Sequence, residues 1–166
     1  ASNSMSITAD ISRGTIYDCN MQPLVNEDKS TYIAIKPSIS ALSQASSVIS
    51  PEEQNKAYER ISGGKIGVVK ATSNFSNENA VTFTRINRYQ DDGLCVHLIG
   101  YTDADGNGVS GIEKYYNDLL KKSSGTIKIS CPVDAKGNIL AGGEIKTVND
   151  GYGTAAGLML TVDKDI

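Results

Sequence analysis

The sequence lacks several features that would point to common functional classes. It has no tryptophan, two phenylalanines and one histidine, so its eight tyrosines must supply most of the aromatic packing. The net charge of −3 and the absence of a basic stripe argue against a nucleic-acid surface. No apolar run approaches the roughly 18 residues that a membrane-spanning helix needs, and no signal peptide is visible. At 166 residues, 39% of them hydrophobic, the chain has the size and composition of one domain with its own core, and one small additional subdomain stays open as an alternative.

Metal and redox motifs are also missing. Cys19, Cys95 and Cys131 are odd in number and widely spaced, with no C-x-x-C pair. We interpret them as free or partly buried thiols, and one disulfide stays open as an alternative if the protein is exported. The single histidine, His97, cannot build a metal site alone. No cofactor is therefore predicted.

The most informative stretch runs from Gly100 to Leu120. The apolar residues from Leu94 to Ile99 predict a strand that ends at Gly100, and a polar, glycine-rich turn follows. Ser110 and Glu113 match the S-x-x-E capping box of a helix start. Apolar residues then recur at helical spacing: Ile112, Tyr115, Tyr116 and Leu119. The stretch predicts a strand, a turn and an amphipathic helix of about three turns.

The turn in this stretch also resembles the start of a calcium-binding EF-hand loop. Asp103, Asp105 and Asn107, followed by Gly108, are the candidate metal ligands. An EF-hand needs a bidentate carboxylate at its twelfth position, and Lys114 stands there instead. The alternative is a hydrophilic turn whose side chains bond their own backbone.

The remaining patterns predict an α+β fold with several short antiparallel strands and about three helices. The clearest helix start is Ser50-Pro51-Glu52-Glu53, which combines an N-cap, a proline at the first helical position and a capping glutamate. That helix should end near Ile61, before two glycines. Apolar residues recur at helical spacing between Ile39 and Ile49 and predict a second helix. Strands are predicted at residues 15–17, 24–25, 31–35, 66–71, 81–86, 126–130 and 139–147.

Three spaced segments resemble the signatures of one bacterial family. The first is Arg13-Gly14 followed by a short strand and Asp18, and the second is Arg88-Tyr89 before the strand that ends at Gly100-Tyr101. The third comprises Gly106, Gly108 and Ser110-Gly111-Ile112-Glu113. Together they resemble the non-catalytic N-terminal module, called the dimerisation or pedestal domain, of class B penicillin-binding proteins. The resemblance marks eight signature positions: Arg13, Gly14, Asp18, Arg88, Gly100, Gly108, Gly111 and Glu113.

The chain departs from this family pattern at two places. Cys19-Asn20-Met21 stands where the family commonly has Arg-Asn-Gly, so the chemistry of the first turn differs. Gln90-Asp91-Asp92 replaces a usual proline in the second signature.

The resemblance implies an elongated pedestal domain over residues 13–162. Residues 1–12 would be an added remnant or linker, and residues 163–166 would begin the link to a transpeptidase domain. The parent would be a D,D-transpeptidase held on the extracytoplasmic face of the bacterial plasma membrane by an anchor before Arg13, acting in cell-wall peptidoglycan synthesis and cell shape. The implied partners are the parent's own transpeptidase domain, cell-wall assembly proteins and a second copy of the chain. The rival interpretation is a free-standing extracellular binding module, with or without dependence on calcium.

The chain itself is not predicted to be an enzyme. The catalytic domains of this family use S-x-x-K, S-x-N and K-[ST]-G. Ser62-Gly63-Gly64-Lys65 matches the first motif by letters but lies at a predicted helix end, no S-x-N is present, and Lys146-Thr147-Val148 lacks the glycine. No catalytic residue is therefore assigned.

One long-range contact is also predicted. The two best-matching signatures each place a charge, Arg13 and Glu113, next to a glycine. Because glycines let backbone segments approach closely, we expect the two side chains to meet although a hundred residues separate them.

Overall fold

The fold combines eight strands and five α-helices within the residues that the computed structural model describes, which are 3–89, 96–139, 142–153 and 157–161. The strands are β1 (Asn3–Ser12), β2 (Thr15–Tyr17), β3 (Asp28–Ile35), β4 (Gly67–Lys70), β5 (Ala80–Asn87), β6 (Gly125–Val133), β7 (Lys146–Asp150) and β8 (Gly157–Met159). The helices are α1 (Ile39–Ala45), α2 (Pro51–Ser62), α3 (Val96–Ile99), α4 (Gly111–Tyr115) and α5 (Asn117–Lys122), and a 3₁₀ turn covers Ser46–Val48. The predicted α+β class is confirmed.

The described residues divide into two units. The first unit takes residues 3–10, 30–85 and the described part of 127–150, and the second takes residues 11–29 with the described parts of 86–126 and 151–166. Each unit has its own core.

The first unit holds the two three-stranded sheets and the two longer helices. The sheet orders are β1-β6-β7 and β4-β3-β5, and the β3–β4 and β6–β7 pairs are antiparallel. Helix α2 begins as predicted, because the Ser50 hydroxyl accepts the Glu53 backbone N–H at 3.4 Å and Pro51 occupies the first turn. Its buried face, Ala57 and Ile61, packs in a core with residues of α1, the 3₁₀ turn and the strands β3, β4 and β5: Ile33, Ile35, Ala41, Ala45, Val48, Ile49, Val69 and Ala80.

The second unit is organised around the short parallel pair of β2 and β8. Its core is formed by Ile16, Leu24, Val25, Ile99 and Leu120. The predicted turn after β2 is present, since Tyr17 and Pro23 form an antiparallel bridge. The segment 24–25 returns beside β2 without forming a regular strand, and β2 takes its regular pairing from β8 instead.

Two predictions around the central stretch are wrong. The segment before Gly100 forms helix α3, where a strand was expected. In this helix Ile99 is buried and Leu98 is exposed. The residues 94 and 95 of that predicted strand lie outside the described residues. The predicted three-turn helix is two short ones, α4 and α5, which are separated at Tyr116.

Two further expectations concern the ends of the chain. Residues 3–12, which the sequence analysis left out of the fold, form β1 beside β6. The closing link at 163–166 lies outside the described residues. In the part of the chain that is described, no helix has the length and apolar character to cross a membrane.

Candidate functional site

The carboxylate of Glu113 is the centre of a buried ionic cluster in the second unit. Glu113 lies in the first turn of α4 and is 0% exposed. Arg13, which is 8% exposed, donates from Nε to Glu113 Oε1 at 3.0 Å and from Nη2 to the Glu113 carbonyl at 2.9 Å. The predicted contact between Arg13 and Glu113 is confirmed.

A second arginine, whose role the sequence did not reveal, shares the same carboxylate. Arg88 is 13% exposed and donates from Nε to Glu113 Oε2 at 2.7 Å and from Nη2 to Oε1 at 2.8 Å. This is the bidentate geometry in which a guanidinium binds a carboxylate most strongly. The Tyr89 hydroxyl donates to Glu113 Oε2 as well. We call these four residues, Arg13, Arg88, Tyr89 and Glu113, the Glu113 cluster.

The outer N–H groups of the two arginines bind backbone carbonyls. Arg13 Nη1 donates to the Gly106 carbonyl at 3.1 Å, and Arg88 Nη1 donates to the Gly14 carbonyl at 2.9 Å. Asn26 closes the arrangement, because its Oδ1 accepts from Arg88 Nη1 at 3.2 Å and its Nδ2 donates to the Arg13 carbonyl at 2.9 Å. The cluster therefore ties the start of β2, the segment after β5 and the start of α4 to one another.

Electrostatics keep the Glu113 carboxylate ionised. Burial by itself raises the pKa of Glu113, but the hydrogen bond and charge of Arg88, with the Tyr89 and Arg13 bonds, outweigh it and hold the pKa below its ordinary value. Burial, and then the bond to this carboxylate, raises the pKa of Tyr89. Two guanidinium groups around one carboxylate leave the cluster with a formal excess of one positive charge.

The predicted capping box of Ser110 and Glu113 is wrong. Ser110 occupies the N-cap position of α4, but its side chain makes no capping hydrogen bond. The Glu113 carboxylate cannot reach back to the helix start because its two oxygens are bound by Arg13, Arg88 and Tyr89. A short-range pattern is here overruled by long-range charge pairing.

The signature glycines lie where backbone segments touch. A Cβ on Gly100 would lie 2.1 Å from the Ser110 carbonyl oxygen, and one on Gly108 would lie 1.9 Å from the Glu113 carbonyl oxygen. Gly111, with a φ of +58°, would bring a Cβ within 2.6 Å of the Leu98 carbonyl oxygen. Real Cβ atoms do not approach other atoms so closely, so the second and third signatures need glycine at these positions to let the backbone segments meet.

The candidate calcium ligands form a self-contained turn. Asp103 Oδ1 accepts the backbone N–H groups of Asp105 and Asn107, both at 2.9 Å. The Asn107 side-chain oxygen accepts a hydrogen bond from the Lys121 ammonium group. A calcium ion at this oxygen would therefore have to displace a cation that is already bound there. Among the described residues, no three His, Cys, Asp or Glu side chains group closely enough to hold a metal ion.

This turn is one of three in the described part of the chain with the same internal bonds. In each, the carboxylate of a leading aspartate accepts the N–H groups two and four residues on; the others are Asp18–Gln22 and Asp134–Asn138. The residue three positions after each aspartate has a positive φ, which is +80° at Gly106, +86° at Gly137 and +61° at Met21. The signature residue Asp18, which is fully buried, thus folds the turn after β2.

Met21 occupies a backbone conformation that its side chain disfavours. We expect Met21→Gly to raise the free energy of unfolding by about 1 kcal/mol, since relief of the left-handed strain exceeds the extra chain entropy of glycine. The Met21 side chain is 58% exposed, so its loss removes little packing. Urea denaturation measures the change, and Met21→Ala is the control because it shortens the side chain but keeps a Cβ at positive φ. An equal gain in both variants would contradict the backbone explanation.

Other residues singled out from the sequence are placed as follows. Ser62 ends α2, and Gly63, Gly64 and Lys65 continue in solvent, so the S-x-x-K letters do not form a buried nucleophile and base. Cys19 is an exposed free thiol and Cys131 a buried one, whose pKa is raised by burial. Cys95 lies outside the described residues, and His97 falls in α3.

An exposed apolar surface adjoins the Glu113 cluster on α4 and α5. Tyr115 is 81% exposed, and Tyr116 and Leu119 are also exposed. The two tyrosine rings pack edge to face with centroids 4.8 Å apart. Lys114, Lys121 and Lys122 are exposed on the same two helices. We call Tyr115, Tyr116 and Leu119 the tyrosine surface.

Comparison with known proteins gives a likeness of fold. No protein-family model matches the chain, and no curated protein is detectably similar to it in sequence. Among solved structures, it is similar to the penicillin-binding protein PBP2 of Helicobacter pylori, solved in complex with MreC, with 19% identity, a TM-score of 0.51, and coverage of 99% of this chain and 37% of that one. It is likewise similar to a peptidoglycan synthetase from Bifidobacterium adolescentis, with 19% identity, a TM-score of 0.53, and coverage of 98% of this chain and 37% of that one. The chain therefore shares its fold with part of these proteins and spans 37% of the length of each.

Proposed function

We propose that this chain is the non-catalytic pedestal domain of a class B penicillin-binding protein that acts in peptidoglycan synthesis. One observation carries the proposal. The three sequence segments that resemble the family's signatures supply Arg13, then Arg88 and Tyr89, and then Glu113, and the first three side chains all bind the buried Glu113 carboxylate. The shared fold with part of two cell-wall proteins supports it.

The role that we propose for the domain is mechanical. A buried, fully bonded ion cluster fixes the relative positions of three chain segments, which suits a module that holds a separate catalytic domain in place. The parent would be a D,D-transpeptidase anchored on the extracytoplasmic face of the plasma membrane. The domain over residues 13–162 would position that enzyme relative to the membrane.

The domain alone should not react with β-lactams. The S-x-x-K letters at Ser62 and Lys65 lie in solvent at the end of α2, where no base is buried beside the hydroxyl. Incubation with a fluorescent penicillin, followed by a denaturing gel, should show no covalent label. Ser62→Ala is the matched control, and a label that is present in the wild type and lost in Ser62→Ala would contradict the proposal.

We further propose that the tyrosine surface binds a cell-wall assembly protein. Exposed aromatic side chains are enriched at the centres of protein interfaces, and the neighbouring lysines would lie at a polar rim. Together they fit a partner that combines apolar and acidic side chains. The H. pylori protein with a similar fold was solved with MreC, which makes MreC of the source organism the partner to test.

The prediction is that Tyr115→Ala weakens MreC binding at least roughly tenfold, the size expected for an interface aromatic. Biolayer interferometry with purified MreC measures the affinity. Tyr58→Ala, which removes an exposed tyrosine from α2, is the control and should bind as the wild type does. Equal affinity for all three proteins would remove the tyrosine surface from the proposal.

A further inference from the structure

Lys36 is a buried cation in the first unit, directly after β3. It is 2% exposed and is among the largest fully buried side chains of the described chain. Its backbone N–H donates to the Asn79 carbonyl at 2.9 Å, which fixes the segment, and its ammonium group donates to the Gly143 carbonyl. Lysine is rarely buried to this degree unless it is paired with an anion.

Among the described residues, no anion meets that ammonium group. Within residues 3–89, 96–139, 142–153 and 157–161, no carboxylate oxygen lies within 4 Å of Lys36 Nζ. The contrast with the second unit is sharp, because Arg13 and Arg88 share the carboxylate of Glu113. An ammonium group that is removed from water and has a carbonyl as its protein partner is costly for the fold.

Lys36 also lines an open cleft of about 570 Å³ within the first unit. A volume of this size is in the range of small-molecule sites. Ser38, Ser40, Asn79 and Asn138 are also among the lining residues, and hydroxyl and amide groups of this kind can donate hydrogen bonds to an oxyanion. The cleft therefore combines a buried cation, several donors and room for a ligand.

One lining residue limits what the ligand can be. Glu78 also lines the cleft, and its side chain is exposed to solvent. Its negative charge disfavours ligands with many anionic groups, such as polyphosphates. A ligand that bears a single carboxylate and an otherwise neutral body fits the balance of charges better.

We propose that this cleft binds a small organic carboxylate and that Lys36 provides its counterion. The ligand carboxylate would supply the negative charge that no described residue places beside Lys36. This inference does not depend on the proposed pedestal function, since it rests on the first unit alone.

The test is a titration followed by ¹H–¹⁵N NMR with two matched probes. N-acetylglycine carries a carboxylate, and N-acetylglycinamide has nearly the same shape without the charge. We expect N-acetylglycine to shift the backbone amide signals of Ser38, Asn79 and Asn138 in a saturable way. N-acetylglycinamide should leave them in place, and equal responses to the two probes would overturn the proposal.

Two variants and a control locate the effect. Lys36→Met should weaken N-acetylglycine binding at least roughly tenfold, and the exposed Lys128→Met should bind as the wild type does. Ser38→Asp keeps the N-cap of α1, because aspartate also accepts the Ala41 N–H, but adds a negative charge to the cleft lining. It should therefore also weaken binding, and it keeps the question open to test if Lys36→Met does not fold.

The urea midpoints of the same variants separate binding from structure. A lysine retained for a ligand predicts that Lys36→Met has an unchanged or raised midpoint, because a buried charge has been removed. A lowered midpoint, together with unchanged probe binding in both variants, would show that Lys36 serves the fold and would overturn the proposal.

Discussion

Glu113→Gln is expected to lower the free energy of unfolding by about 3–5 kcal/mol, the typical cost of removing one partner from a buried ion pair. The substitution keeps the side-chain shape but leaves two buried guanidinium groups, those of Arg13 and Arg88, without an anion. Glutamine also serves as a capping residue, so loss of a helix cap alone would be nearly silent. Urea denaturation at neutral pH measures the change, and a loss below about 1 kcal/mol, the value of an exposed pair, would contradict the buried-pair explanation.

The pH dependence of stability provides an independent control for this prediction. The pKa of Glu113 is lowered in the folded protein, so its contribution is complete above the ordinary glutamate pKa of about 4.3. That contribution is lost as the pH falls from there through the lowered, folded-state value. The wild type should therefore lose more stability than Glu113→Gln over this acid range, and parallel curves would contradict the assignment.

Gly108→Ala is expected to destabilise the protein by more than about 4 kcal/mol, a size reserved for substitutions with a specific steric or electrostatic cause. The added Cβ would lie 1.9 Å from the Glu113 carbonyl oxygen and 2.6 Å from the Lys114 nitrogen. Both are backbone atoms of α4, so relief requires the helix to move away from the hairpin. That movement would also break the bond from Arg13 Nη2 to the Glu113 carbonyl.

A matched control lies two residues earlier in the same hairpin. A Cβ on Gly106 would meet nothing within 4 Å, although the φ of +80° disfavours a side chain. Gly106→Ala should therefore cost about 1–2 kcal/mol, the strain of a left-handed residue. Urea midpoints of the two variants give the comparison, and similar losses would show that the close approach of Gly108 to α4 does not matter.

The parts of the fold that local chemistry determines could be predicted from the sequence. Helix α2 begins and ends where Ser50, Pro51 and the two glycines indicate, because caps and helix breakers act within a few residues. The turn at residues 134–138, between the predicted strands 126–130 and 139–147, is similarly local, since Asp134 bonds the backbone of its own loop. The contact of Arg13 with Glu113 was predicted from glycine positions and is confirmed.

The parts that failed depend on contacts between distant segments. The Ser110–Glu113 pattern is a proper capping box by spacing, yet two arginines 25 and 100 residues away from Glu113 take its carboxylate. The apolar run before Gly100 predicted a strand, but the end of α3 packs where Gly111 approaches the Leu98 and Ile99 carbonyls. The pairing of β2 with β8 joins residues more than 140 positions apart, which no local pattern encodes. Asn26, which binds both Arg13 and Arg88, carries no signal in the sequence beyond a preference for turns.

The most direct test of the central claim is the coupling energy between Arg13 and Glu113. The claim is that the charges of Arg13 and Glu113 act together as parts of one cluster, and that neither residue acts alone. Urea denaturation of the wild type, Arg13→Met, Glu113→Gln and the double variant completes a double-mutant cycle. We predict a coupling energy of about 1–3 kcal/mol, with the double variant less destabilised than the sum of the single ones. A coupling energy within error of zero would contradict the account, because the two side chains would then contribute independently.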